Sequence, residues 1–306
     1  MKLKFDVVGK HQPDPFIFED RDKLYLYVTA TDGVEAYMTD DLFGTWHYQG
    51  IVASFDGRRD YWAPSVIKHG DLYYLYVSCS TDEEFQFMHA AYSTSPLGPF
   101  THETCFYKRF SIDSHVVETE EGLFLWYAED NVNCERIGTR IYVDRLLDPM
   151  TPANQPKEVI IPTMDEEIFK RNRFGDGKDW HTIEGAFWFC EGDWQYLMYS
   201  GGCYDNDSYH IGYAVAHTNE QDLTRVDFTK HTKNGAFDPV LIKNEFEEGS
   251  GHHSVIKYQG QYYAIYHGRD YANDSRREFA EARTARVCKL HVKDGTMSAE
   301  RYADRV

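Results

Sequence analysis

One sequence pattern occurs five times along this chain of 306 residues. Each copy has a short apolar stretch, a turn and a tyrosine-rich stretch, as in APSVIKHGDLYYLY and EGAFWFCEGDWQYLMY. Because glycine supplies the positive φ of tight turns such as HGD, EEG and EGD, each copy predicts a β-hairpin. The copies begin at Asp14, Ala63, Asp113, Glu184 and His252, and tyrosines end them 13, 13, 14, 15 and 14 residues later, at Tyr27, Tyr76, Tyr127, Tyr199 and Tyr266.

A second hairpin pattern tends to follow each first one, for example in HAAYSTSPLGPF and HIGYAVAHTNEQDL. Two hairpins make about four antiparallel strands per repeat, which is the size of one propeller blade. Aromatic residues, 16% of the chain, also favour strands. We therefore predict an all-β, five-bladed β-propeller in which residues 1–306 form a single domain. A jelly roll or a β-sandwich is the alternative fold.

The overall charge limits the partners of the protein. With 50 acidic and 32 basic residues the formal charge is −18, so no basic excess exists to bind nucleic acid. A neutral or cationic ligand meets no such repulsion. The acidic runs DEE and EFEE and the pair Arg276–Arg277 are most simply interpreted as solvated loops.

Several features bear on the location of the protein. The opening MKLKFDVVGKHQ contains no apolar run of signal-peptide length, and no stretch approaches the ~18 apolar residues that span a bilayer. The six cysteines are scattered without CxxC spacing, so we expect small apolar fillers, with a disulfide as the less favoured alternative. These features predict a cytoplasmic protein that does not bind a membrane.

The first residues of the repeats are the candidate functional residues. In a propeller the first strand of every blade lines the central channel, so Asp14, Asp113, Glu184 and His252 would converge from four blades. Carboxylates confined in one pocket raise the pKa of at least one of them, and apolar neighbours raise it further. Glu184 has the most apolar neighbours, in IEGAFWF, and is therefore predicted to be the protonated acid.

A protonated glutamate beside an ionised aspartate is the acid and base pair of a glycosidase. In this interpretation Glu184 protonates the leaving oxygen and Asp14 activates water as general base. Asp113 raises the pKa of the acid and holds its orientation. The alternative is that these acidic residues only cap strand ends or face solvent in the channel.

Five motifs taken together resemble glycoside hydrolase family 43: DPFIF at 14–18, WAPSV at 62–66, SIDSH at 111–115, IEGAF at 183–187 and GSGHHSV at 249–255. The resemblance extends in order from about residue 11 to about residue 290. It implies a five-bladed propeller that inverts the anomeric centre, with Asp14 as general base, Asp113 as pKa modulator and Glu184 as general acid. The WMNDPNG and RDP motifs of family 32 fructosidases are absent.

The resemblance also implies contacts with substrate. Trp62 matches a sugar-stacking tryptophan, with packing between blades as the alternative. Arg269 resembles an arginine that reaches sugar hydroxyls or a catalytic carboxylate, and its charge would help to keep Asp14 or Asp113 ionised. Phe16 either packs beneath the sugar or belongs to the core.

The segment at residues 163–182 is a long irregular insertion that comes just before Glu184. Such an insertion next to a site often forms a rim loop that shapes the subsites. We therefore expect Trp180 or Phe174 to line the leaving-group side.

His252 matches a histidine near the channel axis that is associated with a bound calcium ion or a water cluster. Because Ca²⁺ prefers oxygen ligands, we expect a single contact from His252 with water completing the shell. The alternative is that His252 only forms hydrogen bonds in the channel or contacts sugar. His253 points the opposite way along a strand and is expected to be structural.

Together these features predict an inverting, exo-acting hydrolase that releases terminal α-L-arabinofuranose from arabino- or arabinoxylo-oligosaccharides. A β-xylosidase acting on xylo-oligosaccharides is the first alternative. It is less favoured because the extra β-sandwich common in β-xylosidases of the family does not follow the fifth repeat. A non-catalytic carbohydrate-binding propeller, which needs no set of three carboxylates, and a protein-interaction platform are the alternatives from other classes.

Overall fold

The computed structural model describes residues 1–270 and 283–302. The predicted solvated pair Arg276–Arg277 lies outside these residues. Within them the chain is all-β, and its only helices are two single 3₁₀ turns, Asp165–Glu167 and Leu223–Arg225. No helix in the described part of the chain is long and apolar enough to cross a membrane.

The strands form five units in chain order. Unit 1 contains β1 (Lys4–Phe5), β2 (Phe16–Asp20), β3 (Lys23–Val28), β4 (Val34–Thr39) and β5 (Thr45–Ala53). Unit 2 contains β6 (Arg59–His69), β7 (Leu72–Ser80), β8 (Phe87–Ser93) and β9 (Thr101–Phe110). Unit 3 contains β10 (Ile112–Thr119), β11 (Gly122–Asn131), β12 (Gly138–Asp148), β13 (Thr151–Pro152) and β14 (Lys157–Ile160). Unit 4 contains β15 (Ile168–Lys170), β16 (Trp180–Glu191), β17 (Trp194–Gly201), β18 (His210–His217) and β19 (Thr229–Lys230). Unit 5 contains β20 (Glu247–Tyr258), β21 (Gln261–Asp270), β22 (Thr284–Lys293) and β23 (Thr296–Arg301).

The predicted hairpins are confirmed, because the first two long strands of every unit pair antiparallel, as β2–β3, β6–β7, β10–β11, β16–β17 and β20–β21. Units 1, 2 and 5 are separate sheets. Units 3 and 4 are joined by a short parallel pairing of β12 with β16 at Gly138–His181 and Thr139–Thr182. The expectation of about four antiparallel strands per repeat is therefore confirmed.

The second strand of each hairpin is buried on both faces, which explains its continuous apolar sequence. In β11, Phe124 and Trp126 pack toward unit 4, whereas Leu125 and Tyr127 pack toward unit 2. This is the period-two alternation of a strand with a hydrophobic layer on each side. Five such layers fill the spaces between successive units.

The fifth layer lies between unit 5 and unit 1. It packs Ile17, Leu26 and Trp46 of unit 1 against Ile265 and Val287 of unit 5. The amide of Ile17 also donates to Ser254 Oγ at 2.9 Å. The N-terminal segment adds backbone bonds to β22, from Leu3 N to Ala285 O at 3.0 Å and from Val287 N to Met1 O at 2.8 Å. The first and last units are therefore neighbours.

A backbone irregularity marks the start of each hairpin. The φ angle is positive at Asp14 (52°), Ala63 (44°), Asp113 (62°), Gly185 (60°) and His252 (43°). The residue two positions later pairs with the residue thirteen positions later in all five units: Phe16–Tyr27, Ser65–Tyr76, His115–Trp126, Phe187–Met198 and Ser254–Ile265. The repeat is therefore uniform at 13 residues.

The alignment of the later repeats on tyrosines was wrong by one residue. The partners equivalent to Tyr27 are Trp126, Met198 and Ile265, and the residue equivalent to Asp14 in unit 4 is Gly185. Tyrosine and other large apolar residues both occupy this buried position of the second strand. The positions of the tyrosines alone therefore do not determine the strand register. Glu184 precedes the irregular residue.

All six cysteines are free thiols. Cys79, Cys203 and Cys288 are buried, as expected of small apolar fillers. Cys190 is exposed, so that expectation is wrong for it. Its position near the end of β16, past the packed part of the sheet, accounts for the difference.

Candidate active site

A cavity of about 530 Å³ takes residues from all five units. This volume is in the range of pockets that enclose small organic ligands. Five residues predicted from the sequence line it: Asp14, Trp62, Asp113, Glu184 and His252. The structure therefore brings together the carboxylates that the sequence places at separate repeats.

Asp14 lies in a network of donors. Thr29 Oγ1 donates to its Oδ2 at 2.6 Å, and Arg283 Nη1 lies 3.3 Å from its Oδ1. Its backbone N–H donates to Nδ1 of His267 at 3.1 Å. Burial alone would raise the pKa of Asp14, but the neighbouring groups, Arg283 above all, hold this pKa well below its usual range. Because burial lowers the pKa of His267 to about 3, that imidazole is neutral at pH 7 and Arg283 supplies the positive charge.

The arginine in the cavity beside Asp14 is Arg283, whereas Arg269, for which this place was predicted, does not line the cavity. Arg269 lies behind the cavity wall, where its Nη1 donates to the backbone oxygen of Tyr204 at 2.7 Å and its Nη2 lies 3.7 Å from Glu248. Arg269 therefore supports the wall residue Tyr204. Arg283 immediately precedes β22, the third strand of its unit, whereas the motif containing Arg269 ends the second strand.

Glu184 sits at the floor of the cavity and is partly buried. Tyr209 Oη donates to its Oε1 at 2.6 Å. The pKa of Glu184 is raised to about 7, because burial and the charge of Asp14 raise it more than the hydrogen bond of Tyr209 and the charge of Arg283 lower it. Glu184 is therefore a carboxyl group that holds its proton near neutral pH.

Asp113 belongs to unit 3 and is buried. Its Oδ2 accepts a hydrogen bond from the backbone N–H of Gly185 at 3.0 Å, which fixes the backbone directly after Glu184. Burial and the charges of Glu184 and Asp14 raise the pKa of Asp113 well above its usual value. The contact explains how Asp113 can hold the orientation of the acid.

The imidazole of His252 lies beside two of these carboxyl groups. Its Nδ1 is 3.4 Å from Asp14 Oδ1 and 3.8 Å from Asp113 Oδ2. Burial lowers the pKa of His252, so the ring is neutral at pH 7 and can hydrogen-bond to substrate or to a carboxyl group. His253, the next residue, is buried among Phe187 and other rings beneath the cavity, as expected of a structural residue.

The donors present here fit a calcium ion poorly. Asp113, Glu184 and His252 each offer one ligand atom, and these three atoms lie within 4.8 Å of one another. Calcium takes six to eight oxygen ligands, whereas this group supplies two carboxyl groups with raised pKa values and one ring nitrogen. The small cavity beneath, about 10 Å³, has room for about one water molecule. We assign no step to a metal ion.

Trp62 contributes an indole ring to the cavity wall, as predicted. It packs edge to face on Phe85 at 5.7 Å between ring centroids. Phe85 is exposed and stacks on Phe110 at 5.9 Å. This contact supports the indole at the cavity wall.

Phe16 lies below the catalytic level, among the residues around the small lower cavity. Its ring packs against His115 at 6.0 Å and Phe187 at 6.2 Å. Phe16 therefore packs among rings beneath the cavity, and its contact with sugar stays a prediction. Asp14 and Phe16 both border the small lower cavity, whereas of these two residues only Asp14 lines the larger cavity above.

None of the described residues of the insertion at residues 163–182 lines the cavity. Trp180 is buried and Phe174 is exposed, and the two rings pack on each other at 5.5 Å away from the cavity. The expectation that either lines the leaving-group side was therefore wrong. Phe169 does approach the wall, because its ring lies 6.3 Å from that of Tyr204.

Four functional residues were missed in the sequence: Thr29, Tyr209, His267 and Arg283. Thr29 follows β3, His267 lies near the end of β21, and Tyr209 and Arg283 each come immediately before the third long strand of a unit. The available signal was position, since these strand ends lie on the same side of the units as the repeat starts. Residue type alone did not distinguish them.

Comparison with known proteins places this site in a family. The family model described as glycosyl hydrolases family 43 matches residues 6–297. The chain belongs to glycosyl hydrolases family 43. A crystal structure of a thermostable family-43 glycoside hydrolase has a TM-score of 0.80, with 26% identity over 96% of this chain and 95% of that one.

Two curated relatives of this family-43 chain are also similar to it. A probable arabinan endo-1,5-α-L-arabinosidase of Aspergillus flavus is 26% identical over 62% of this chain and 57% of the relative. The match therefore covers little more than half of that relative's length. An extracellular exo-α-(1→5)-L-arabinofuranosidase of Cellvibrio japonicus is 26% identical over 85% of this chain and 80% of the relative.

Proposed function

We propose that this family-43 chain is an inverting, exo-acting glycoside hydrolase that releases terminal α-L-arabinofuranose from arabino- or arabinoxylo-oligosaccharides. The observation that carries the proposal is the opposite perturbation of two carboxyl groups in one cavity. The pKa of Asp14 is held well below its usual range, whereas that of Glu184 is raised to about 7. An ionised base and a protonated acid can therefore coexist near neutral pH.

The chemistry assigns one proton transfer to each group. Glu184 gives its proton to the glycosidic oxygen as the bond from the anomeric carbon to that oxygen breaks, and the bonding electrons leave with the oxygen. Water attacks the anomeric carbon from the opposite face and loses a proton to Asp14. Hydrolysis ends with Glu184 ionised and Asp14 protonated, and exchange with solvent restores both.

The charged neighbours support these two roles. Arg283 stabilises Asp14 as a carboxylate before the attacking water is deprotonated, since an opposite charge favours the ionised form. Asp113 fixes the backbone at Gly185 and so the position of the Glu184 carboxyl group. Thr29 fixes the second oxygen of Asp14, leaving its orientation defined before substrate binds.

We further propose that the five units close into a single-domain, five-bladed propeller. Support comes from the five hydrophobic layers, each shared by two successive units, with the fifth between unit 5 and unit 1. In such a ring the equivalent strand starts converge on one axis, which accounts for a cavity with residues from every unit.

The preference for arabinofuranosides is supported by the two relatives, whose names describe endo and exo action on arabinan or arabinofuranosides. A β-xylosidase would use the same carboxyl groups and remains the alternative substrate class. The cytoplasmic location stays a prediction, and the Cellvibrio relative is described as extracellular. The partner that we propose is a pentose oligosaccharide, and the formal charge of −18 disfavours nucleic acid.

The first experiment compares initial rates on an aryl α-L-arabinofuranoside and an aryl β-D-xylopyranoside. We expect the arabinofuranoside to react faster, with the first-formed sugar of inverted anomeric configuration in a proton NMR time course. Release of arabinose alone from a linear arabino-oligosaccharide would support exo action, and release of shorter oligosaccharides would overturn it. Faster hydrolysis of the xyloside would change the proposed substrate class to β-xylosides. Sugar binding without hydrolysis would indicate a non-catalytic carbohydrate-binding protein.

A further inference from the structure

Tyr209 makes the closest contact of any described side chain with the predicted general acid. It immediately precedes β18, lines the cavity, and donates from Oη to Oε1 of Glu184 at 2.6 Å. We propose that Tyr209 is a positioning residue that occupies Oε1 of Glu184, so that Oε2 carries the proton delivered to the glycosidic oxygen. This inference rests on the hydrolase function proposed above.

The packing of Tyr209 allows its ring little freedom. The ring is fully buried and lies parallel to that of His267, with 5.6 Å between centroids and 10° between planes. On another side it covers Gly251, where an added Cβ would come within 2.1 Å of a ring carbon. The absence of a side chain at Gly251 therefore makes room for the tyrosine. The hydroxyl group is held at one place relative to Glu184.

The chemistry of the pair defines which atom donates. Burial and the charge of Glu184 raise the pKa of Tyr209 well above its usual value, so the phenol keeps its proton. Oε1 must then accept in both protonation states of Glu184. In the acid form Oε1 is the carbonyl oxygen and Oε2 bears the proton; in the carboxylate form the same bond stabilises the negative charge. Tyr209 thus makes Glu184 a stronger acid at the moment of transfer.

Other charged and titratable groups also act on this carboxyl group from the elements around it. They are Asp14 from unit 1, Asp113 and Asp130 from unit 3, and His252 and Arg283 from unit 5. The charges of Asp14 and Asp130 favour the protonated form of Glu184, and Arg283 favours the ionised form. None of these groups makes the directed hydrogen bond that distinguishes Oε1 from Oε2, which only Tyr209 provides among the described residues.

The test is Tyr209→Phe, which removes one oxygen atom and keeps the ring. We expect kcat to fall about 10- to 100-fold on alkyl glycosides, whose leaving groups need protonation, and much less on aryl glycosides with good leaving groups. We also expect the alkaline limb of the kcat profile to move to higher pH by about one pH unit, because the ionised form loses a donor. Equal losses on both substrate classes with an unmoved profile would overturn the proposal.

Tyr266→Phe is the matched control. Tyr266 is another buried tyrosine whose Oη donates to a glutamate, here Oε1 of Glu247 at 2.7 Å, but neither residue lines the cavity. Its loss should lower the melting temperature and leave both the leaving-group dependence and the pH profile unchanged. A shift of the profile in Tyr266→Phe as large as that in Tyr209→Phe would show a general effect of lost packing and contradict the proposal.

A second variant keeps the test decisive if Tyr209→Phe does not fold. Replacing Tyr209 by 3-fluorotyrosine strengthens the donor, so the alkaline limb should move to lower pH, opposite to the phenylalanine variant. A ¹³C NMR titration of the Glu184 carboxyl group in wild type and variant reports the same shift without turnover. If the wild-type protein hydrolyses no glycoside but this titration shifts, the proposed function fails and the Tyr209 contact stands. If the wild type is active and neither measurement shifts, the Tyr209 inference alone fails.

Discussion

Two buried tyrosine–glutamate pairs in this protein have nearly the same hydrogen bond and different surroundings. Tyr209 donates to Glu184 at 2.6 Å in the cavity, and Tyr266 donates to Glu247 at 2.7 Å between units 4 and 5. Glu247 also meets Arg286 Nη1 at 2.9 Å and Arg301 Nε at 3.0 Å. Two guanidinium groups compensate its charge.

Glu184 has much less compensation. Its neighbours Asp14 and Asp113 are themselves carboxyl groups, and Arg283, the cation that acts on it among the described residues, lies against Asp14. With the same tyrosine donor, Glu247 therefore lies in an ion-pair cluster, whereas Glu184 lies among carboxyl groups and is the proton donor that we propose. Because both carboxyl groups have a tyrosine donor, the donor does not distinguish them, and the difference between the two sites lies in the charges around each glutamate.

Removing the acid at Glu184 should have the largest effect. In Glu184→Gln we expect kcat on substrates with poor leaving groups to fall by ~10²–10⁴-fold or more, because no proton is available for the leaving oxygen. The fold should be retained, since glutamine can still accept from Tyr209. Steady-state kinetics with circular dichroism on the same sample measure both. Retention of more than about a tenth of the rate would remove Glu184 from the role of general acid.

The corresponding change at Glu247 should destabilise the protein without altering the chemistry. Glu247→Gln removes the buried carboxylate that Arg286 and Arg301 contact and leaves Arg286 with its more exposed partner Asp270, and breaking a buried pair costs up to about 3–5 kcal/mol of unfolding free energy. Urea unfolding should show this loss, while the pH profile of the folded fraction stays in place. If this variant instead moved the alkaline limb, the two glutamates would not be electrostatically separate.

The pH dependence of the unfolding free energy should also distinguish Glu184 from Glu247. The pKa of Glu184 is raised from 4.5 to about 7 on folding, so the native state binds more protons than the unfolded state between these values. Its contribution to stability is full below pH 4.5 and is lost as pH rises through 7. At 1.36 kcal/mol per pH unit the loss approaches about 3 kcal/mol.

Glu184→Gln cannot ionise and should therefore gain stability relative to wild type as pH rises from 5 to 8. Urea unfolding of both proteins at several pH values gives the difference directly. A difference that stays constant over this range would show that the native pKa of Glu184 is close to that of the unfolded chain. Glu247→Gln, which we expect to lower the unfolding free energy, is measured at each pH for comparison.

The repeat made much of this arrangement predictable. Period-two apolar sequence and glycine turns located the five hairpins, and the repeat starts placed Asp14, Asp113 and Glu184 at one cavity, although Glu184 lies one residue before the equivalent position. The apolar neighbours of Glu184 also indicated its raised pKa. These inferences need only local pattern and repetition.

The positions of the residues that the sequence analysis missed depend on the strand register and on which strand ends lie near the cavity. A one-residue difference in the bulge puts Gly185, and not Glu184, at the position equivalent to Asp14. Whether Arg269 or Arg283 reaches Asp14 depends on which strand end lies nearer the axis, and a propensity pattern contains no such distance. Tyr209 belongs to the second hairpin of its unit, where the repeat carried no polar signal.

The smallest effect that we predict concerns the base. Thr29 Oγ1 donates to Asp14 Oδ2 at 2.6 Å and accepts from the backbone N–H of Ala63 at 2.8 Å. Thr29→Val removes a donor to the ionised form, so the pKa of Asp14 should rise and the acid limb of kcat/KM should move to higher pH by up to about one unit. Because Arg283 still holds the pKa of Asp14 low, the rate at pH 7 should change by less than about threefold. Thr29→Ser keeps the hydroxyl group and should leave the acid limb in place; if the serine and valine variants moved it equally, the shift would come from packing and not from the hydrogen bond.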